Sequence, residues 1–158
     1  MLAILAIAFV GWRIFVAPRF FRDAVYPAPH VVYHRLSGDT FALASQQGHV
    51  VFLDFFASWC EPCTLEMPMV ERYARAHPEI EVIPIDVGEP PVVAAAFAQK
   101  YRLGDVALDP AASAQGYFQI QGFPTVVVID PQGKIRASWA GFNPAIELAM
   151  GNAEKQLR

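Results

Sequence analysis

The chain has 158 residues, 54% hydrophobic and 17% charged, with a formal net charge of −3 and a mean hydropathy of +0.30. That composition excludes disorder and collagen-like sequence, and with no run of five like charges it offers no basic surface for nucleic acid. It also excludes a polytopic membrane protein, because no second apolar run approaches about 18 residues.

The hydrophobic surplus is local. Residues 1–17 hold 15 apolar residues, broken only by Gly11 and Arg13. As a helix they would rise about 25 Å, short of the roughly 30 Å hydrocarbon layer unless Pro18 to Phe21 extend the apolar reach. A signal-anchor fits best. A cleaved signal peptide is the alternative, opposed by the missing basic n-region and a poor A-x-A site. A buried amphipathic helix fits least, because the run is apolar all round. Arg13, Arg19 and Arg22 lie within or just after the run, so charge alone would keep the following domain in the cytoplasm. The chemistry below argues for the other side.

The chain therefore divides into an anchor or signal over 1–17, a linker over 18–36 and one globular domain over 37–158. The linker carries Pro18, Pro27 and Pro29 and has room for one edge strand. Ser37-Gly38-Asp39 is a turn and Phe41 to Ala44 a short strand. His49 to Phe56 is an apolar run with one Asp inside, suited to a central strand buried on both faces. Cys60 to Ala76 is predicted helical, with Leu65, Met69, Tyr73 and Ala76 at helical spacing and Pro68 inside as a kink. Ile80 to Val87 returns as a strand, completing a βαβ unit.

Pro91 to Tyr101 is a second helix, Val106 to Leu108 a brief strand and Ala112 to Phe118 a short helix. Thr125 to Ile129 and Ile135 to Trp139 are strands joined by the turn Asp130-Pro131-Gln132-Gly133. Pro144 to Leu157 closes as an amphipathic helix. The fold class is α/β, a mixed sheet with helices on both faces.

The two cysteines, Cys60 and Cys63, sit where a buried strand meets a helix. Three residues apart on a first turn, they can close a small disulfide ring, and the helix N-terminus favours a thiolate on Cys60. Cys60 would attack and Cys63 would resolve the mixed disulfide. Two duller readings stand beside this one: a static disulfide, or half of a zinc site. None of His30, His34, His49 and His77 has ligand spacing to the pair, so no metal site is expected.

Asp54 to Cys63 (DFFASWCEPC) resembles the active-site strand and loop of the thioredoxin superfamily. Cys60 to Pro68 (CEPCTLEMP) is similar to the ResA/TlpA/CcmG branch of membrane-anchored thiol-disulfide oxidoreductases. Val87-Gly88-Glu89, Leu108-Asp109, Gly122 to Thr125 and Ile129 to Lys134 match the same branch in order and spacing. The resemblance covers residues 37 to 157 and implies a thioredoxin-like three-layer sandwich, with no cofactor beyond the redox-active Cys60–Cys63 pair.

It also implies roles. Pro124 corresponds to a cis-proline beside the disulfide, which turns the backbone of Phe123 toward a substrate strand. Asp54 would be a proton acceptor for Cys63 with a raised pKa, or a buried carboxylate satisfied by a structural hydrogen bond. Many members of the branch carry Asn there, so the chain departs from its pattern. Glu66 would be an active-site carboxylate tuning the thiols, or else a solvated helix-face glutamate.

Glu61 places negative charge beside Cys60 and opposes an oxidising potential. Trp59, Glu61, Pro62, Phe123 and Thr125 are the candidate substrate-contacting residues. The implied partners are a disulfide-bearing protein substrate such as apocytochrome c, an integral-membrane thiol reductant and the membrane itself, with the domain on the extracytoplasmic side. A general exported reductase is one alternative. A thiol-based Cu(I) module is the other, with only Met67 and Met69 near the pair to support it.

Overall fold

The computed structural model describes residues 22–158, with side chains from Val25 onward. The leader predicted over residues 1–17 lies outside the described residues, and none of the described helices is long and apolar enough to cross a membrane.

In chain order the elements are β1 (Arg22–Pro27), β2 (Val32–Arg35), β3 (Thr40–Ala42), β4 (Val51–Phe56), α1 (Glu61–Ala76), β5 (Glu81–Val87) and α2 (Pro91–Tyr101). Then follow β6 (Ala107–Asp109), α3 (Ser113–Tyr117), β7 (Thr125–Ile129), β8 (Lys134–Ala140) and α4 (Ile146–Leu157). The strands make one mixed sheet in the order β1-β8-β7-β4-β5-β6-β2-β3. Strands β4, β5 and β6 run parallel and the remaining pairings are antiparallel.

Every residue of β4 is buried, which requires cover on both faces of the sheet. Val51, Leu53 and Phe55 pack on one side with Ile83, Ile85, Val127, Ala114 and Phe118, under α3. Phe52 and Phe56 point the other way, toward α1, α2 and α4. Because side chains alternate along a strand, Asp54 falls on that second face, between two phenylalanines. The thioredoxin-like sandwich expected from the sequence is thus present, with the thicker helical layer on the side that carries Asp54.

Two expectations change. The stretch 18–36, read as a linker with one edge strand, contains both β1 and β2, and both belong to the sheet. Its prolines misled because Pro27 ends β1 and Pro29 falls between the strands, where no ladder N–H is needed.

The helical phase of α1 is also different. Leu65 is 59% exposed, and the buried positions are Cys63, Glu66, Met67, Val70, Glu71 and Tyr73. Two glutamates occupy the inward stripe, so an apolar-only reading set the face wrongly. The helix runs on through Pro68, which is exposed.

Phe52 is fully buried, with Tyr73 edge-on at 6.1 Å and Trp139 at 6.4 Å between ring centroids. Phe52→Ala should cost about 3–5 kcal/mol in urea denaturation. An effect under about 1 kcal/mol would show that this cluster does not hold α1 and α4 on the sheet.

Candidate redox site

Helix α1 starts directly beyond the end of β4, and Cys60 is its N-cap. The Cys63 N–H donates to Cys60 Sγ at 3.2 Å, and Pro62, which has no N–H, sits in the first turn where none is required. Cys60 and Cys63 form a disulfide, with Cα atoms 5.3 Å apart. Both are almost wholly buried, Cys60 at 3% exposure, and share a cluster with Phe56, Met67, Phe97 and Val106. Met67 is thus core packing, so the methionine closest to the pair has no free face for a metal.

Around the pair lies an apolar lip. Trp59 is 71% exposed and meets the Phe123 ring edge-on at 5.7 Å. The Phe123–Pro124 peptide is cis, and Pro124 is buried at the head of β7. Glu61 and Pro62 are exposed on the first turn of α1. Thr125 turns inward, its hydroxyl donating to the Gly122 carbonyl at 2.7 Å, so any contact it makes with a partner would be through backbone.

Beneath the lip the site is acidic. Asp54 is 1% exposed, and no hydrogen bond reaches either of its oxygens from the described residues. Burial, followed by the carboxylates of Glu66 and Glu71, holds its carboxyl well above the usual range.

Glu66 is also 1% exposed, which removes the reading of it as a solvated glutamate. Burial raises its carboxyl from 4.5 to about 7, against the pull of the Asn143 N–H, which donates to it at 2.5 Å. Glu71, by contrast, is built into the fold, accepting from the Gly104 N–H at 2.9 Å.

Four residues at the site were not anticipated. Glu89 accepts from the Ser58 N–H at 2.5 Å and from the Ser58 hydroxyl at 2.6 Å, gripping the loop just before Cys60. Asp86 is fully buried on β5, and burial, then Glu89, raises its carboxyl to about 7. Asn143, between β8 and α4, donates its backbone N–H to Glu66. The signals were there in part: Asp86 interrupts an apolar strand just as Asp54 does, and Glu89 follows the matched Val87-Gly88 pair. Nothing local marks Ser58 or Asn143, whose partners are 31 and 77 residues away.

The buried carboxyls give the fold a pH dependence with a definite sign. Between pH 4.5 and about 7 folded Glu66 keeps a proton that the unfolded chain releases, so stability falls as pH rises through that window and levels off above it. Glu66→Gln should flatten this fall in urea denaturation series and leave the variant more stable above neutrality, by up to about 3 kcal/mol. Parallel slopes in wild type and variant would show that Glu66 is not the group responsible.

A family model described as AhpC/TSA family matches residues 25–138. The chain is 30% identical over 133 residues to the thiol-disulfide oxidoreductase ResA of Bacillus cereus, covering 82% of this chain and 77% of that protein. A thiol:disulfide interchange protein DsbE from Chlorobium tepidum superposes with a TM-score of 0.78 at 27% identity, covering 85% of this chain and 97% of that one. A protein disulfide isomerase from Bacteroides thetaiotaomicron gives 0.75 at 28% identity, covering 86% and 93%. With the disulfide already located at the strand–helix junction, these matches make the chain a member of the AhpC/TSA family of the thioredoxin superfamily, and a thiol-disulfide oxidoreductase.

Proposed function

We propose that the protein is a membrane-tethered reductase of protein disulfides, working on the extracytoplasmic side and serving cytochrome c maturation. The observation that carries the reductase reading is the Cys60–Cys63 disulfide at the N-cap of α1, under an exposed Trp59–Phe123 lip. In the dithiol form the Cys60 thiolate attacks one sulfur of the substrate disulfide and expels the other as a thiolate, leaving a mixed disulfide. Cys63, deprotonated with Asp54 as acceptor, then attacks Cys60 Sγ. The substrate leaves reduced by two electrons, and the protein holds the disulfide seen here. A membrane thiol reductant returns those two electrons.

No group beyond the cysteine pair is needed for this exchange. The apolar leader supports a tether, and the redox use of two thiols supports an oxidising compartment, against the arginines around the leader. A C-x-x-C-H segment of apocytochrome c is a substrate of the right chemistry, presenting a small disulfide in extended chain that can lie along Phe123.

Wild type should reduce insulin disulfides with a thiol donor, and both Cys60→Ser and Cys63→Ser should lose turnover by at least about a hundredfold. Cys63→Ser should accumulate a mixed disulfide in cells, and mass spectrometry of that adduct identifies the substrate. An inactive wild type that binds Cu(I) stoichiometrically would overturn the reductase reading. Glu61 opposes the Cys60 thiolate, so the reduction potential should lie nearer the roughly −270 mV of thioredoxin than the roughly −120 mV of DsbA. A potential near the latter would remove the role given to Glu61.

A further inference from the structure

Strands β4 and β5 run parallel, so the junctions that lead from them into α1 and α2 lie at the same end of the sheet. The first junction carries the redox pair. The Ala57 carbonyl accepts the Cys60 N–H at 3.0 Å, which makes Ser58 and Trp59 the two central residues of a four-residue turn. The ends of the turn are fixed, because Ala57 is fully buried and Cys60 caps α1. Its centre is not. Such a turn gives the N–H of its second residue no partner, and Trp59 is 71% exposed.

Glu89 supplies what the turn lacks. One of its oxygens accepts the Ser58 N–H at 2.5 Å and the other accepts the Ser58 hydroxyl at 2.6 Å. Two bonds from one carboxylate fix the direction of the contact as well as its length. The brace is itself rigid. Gly88, at φ +83°, turns the chain out of β5 and donates to the Asp109 carbonyl at 2.9 Å. On the other side Pro90 caps α2, and a residue that precedes proline is confined to extended backbone.

We propose that Glu89 is a positioning residue for thiol–disulfide exchange: through Ser58 it holds the turn that presents Trp59, and so governs how a substrate docks. The thiol chemistry is held by other contacts. Cys60 is buried, its sulfur accepts the Cys63 N–H, and its own N–H goes to Ala57. Trp59 follows directly on the braced serine, and its ring meets Phe123 at 5.7 Å. Without the brace the turn samples other arrangements, and a docking chain must first restore this one.

The test compares wild type with Glu89→Ala, Glu89→Gln, Ser58→Ala and the double variant Glu89→Ala/Ser58→Ala, each as the full chain in detergent. A glutamine oxygen can accept the Ser58 N–H while its amide donates to the Ser58 hydroxyl, so Glu89→Gln keeps both contacts with the second reversed. Protection of the Ser58 amide from hydrogen exchange, measured in the disulfide form, should fall at least about tenfold in Glu89→Ala and less than about threefold in Glu89→Gln. In insulin reduction Glu89→Ala should raise KM about fivefold to tenfold, with kcat within about twofold of wild type and the reduction potential unchanged. Ser58→Ala should raise KM severalfold on its own and hardly at all on top of Glu89→Ala, because the bond it removes is already gone.

Full Ser58 protection in Glu89→Ala, a fall in kcat at constant KM, a shifted potential or additive effects on KM would each overturn the proposal. If Glu89→Ala fails to fold, Ser58→Ala decides, and a KM equal to that of wild type would overturn it. The inference rests on the reductase reading for its kinetic readout alone. Absence of insulin reduction in wild type would count against that reading, while Ser58 protection would still decide the role of Glu89.

Discussion

The Cys60 sulfur accepts the Cys63 N–H at the point where β4 stops and α1 starts, and the rest of the site is arranged around that contact. A helix N-terminus has N–H groups with no partner in the helix, and here a sulfur atom takes one of them. Partial positive charge then lies beside the atom that must become a thiolate. For this to work, β4 must end at a fixed place, and a strand buried on both faces cannot slip without exposing phenylalanines. The core thus sets the position of the chemistry, and the lip of Trp59 and Phe123 decides only what can approach it.

The carboxyls show a different logic. Asp54 and Asp86 are on neighbouring parallel strands, and both interrupt an apolar run. Among the described residues neither has an Arg or Lys partner or a hydrogen-bond donor, and burial holds both carboxyls above their usual range, so each can carry a proton instead of a charge. Disulfide exchange moves protons as well as electrons, and a carboxyl that burial holds above its usual range, as at Asp54, is suited to take part in it. A paired aspartate, such as Asp130 with Arg136 and the backbone of its turn, holds structure instead.

How much of this the sequence discloses depends on distance along the chain. The strand–CxxC–helix junction, the αβ alternation and the Thr125–Ile129 strand behind Pro124 are local patterns, and they were readable as such. The phase of α1 was not, because Glu66 and Glu71 face inward and carry no hydrophobic signal. Nor was the grip of Glu89 on Ser58, since nothing in either residue's neighbourhood names the other. The strands in 22–35 were hidden by prolines that turn out to mark strand ends. Side chains that act through long-range contacts need the fold before they can be seen.

Strand β1 has one further consequence. Among the described residues it forms an outer edge of the sheet, pairs with β8 alone, and is six residues long. An edge of that length can add a strand from another molecule, a serious hazard wherever copies are held close together. The segment resists this: the register slips between Asp23 and Tyr26, and Pro27 removes a donor at its end. At the opposite edge β3 is kept to three residues. Both margins of the described sheet are therefore poor templates for self-association.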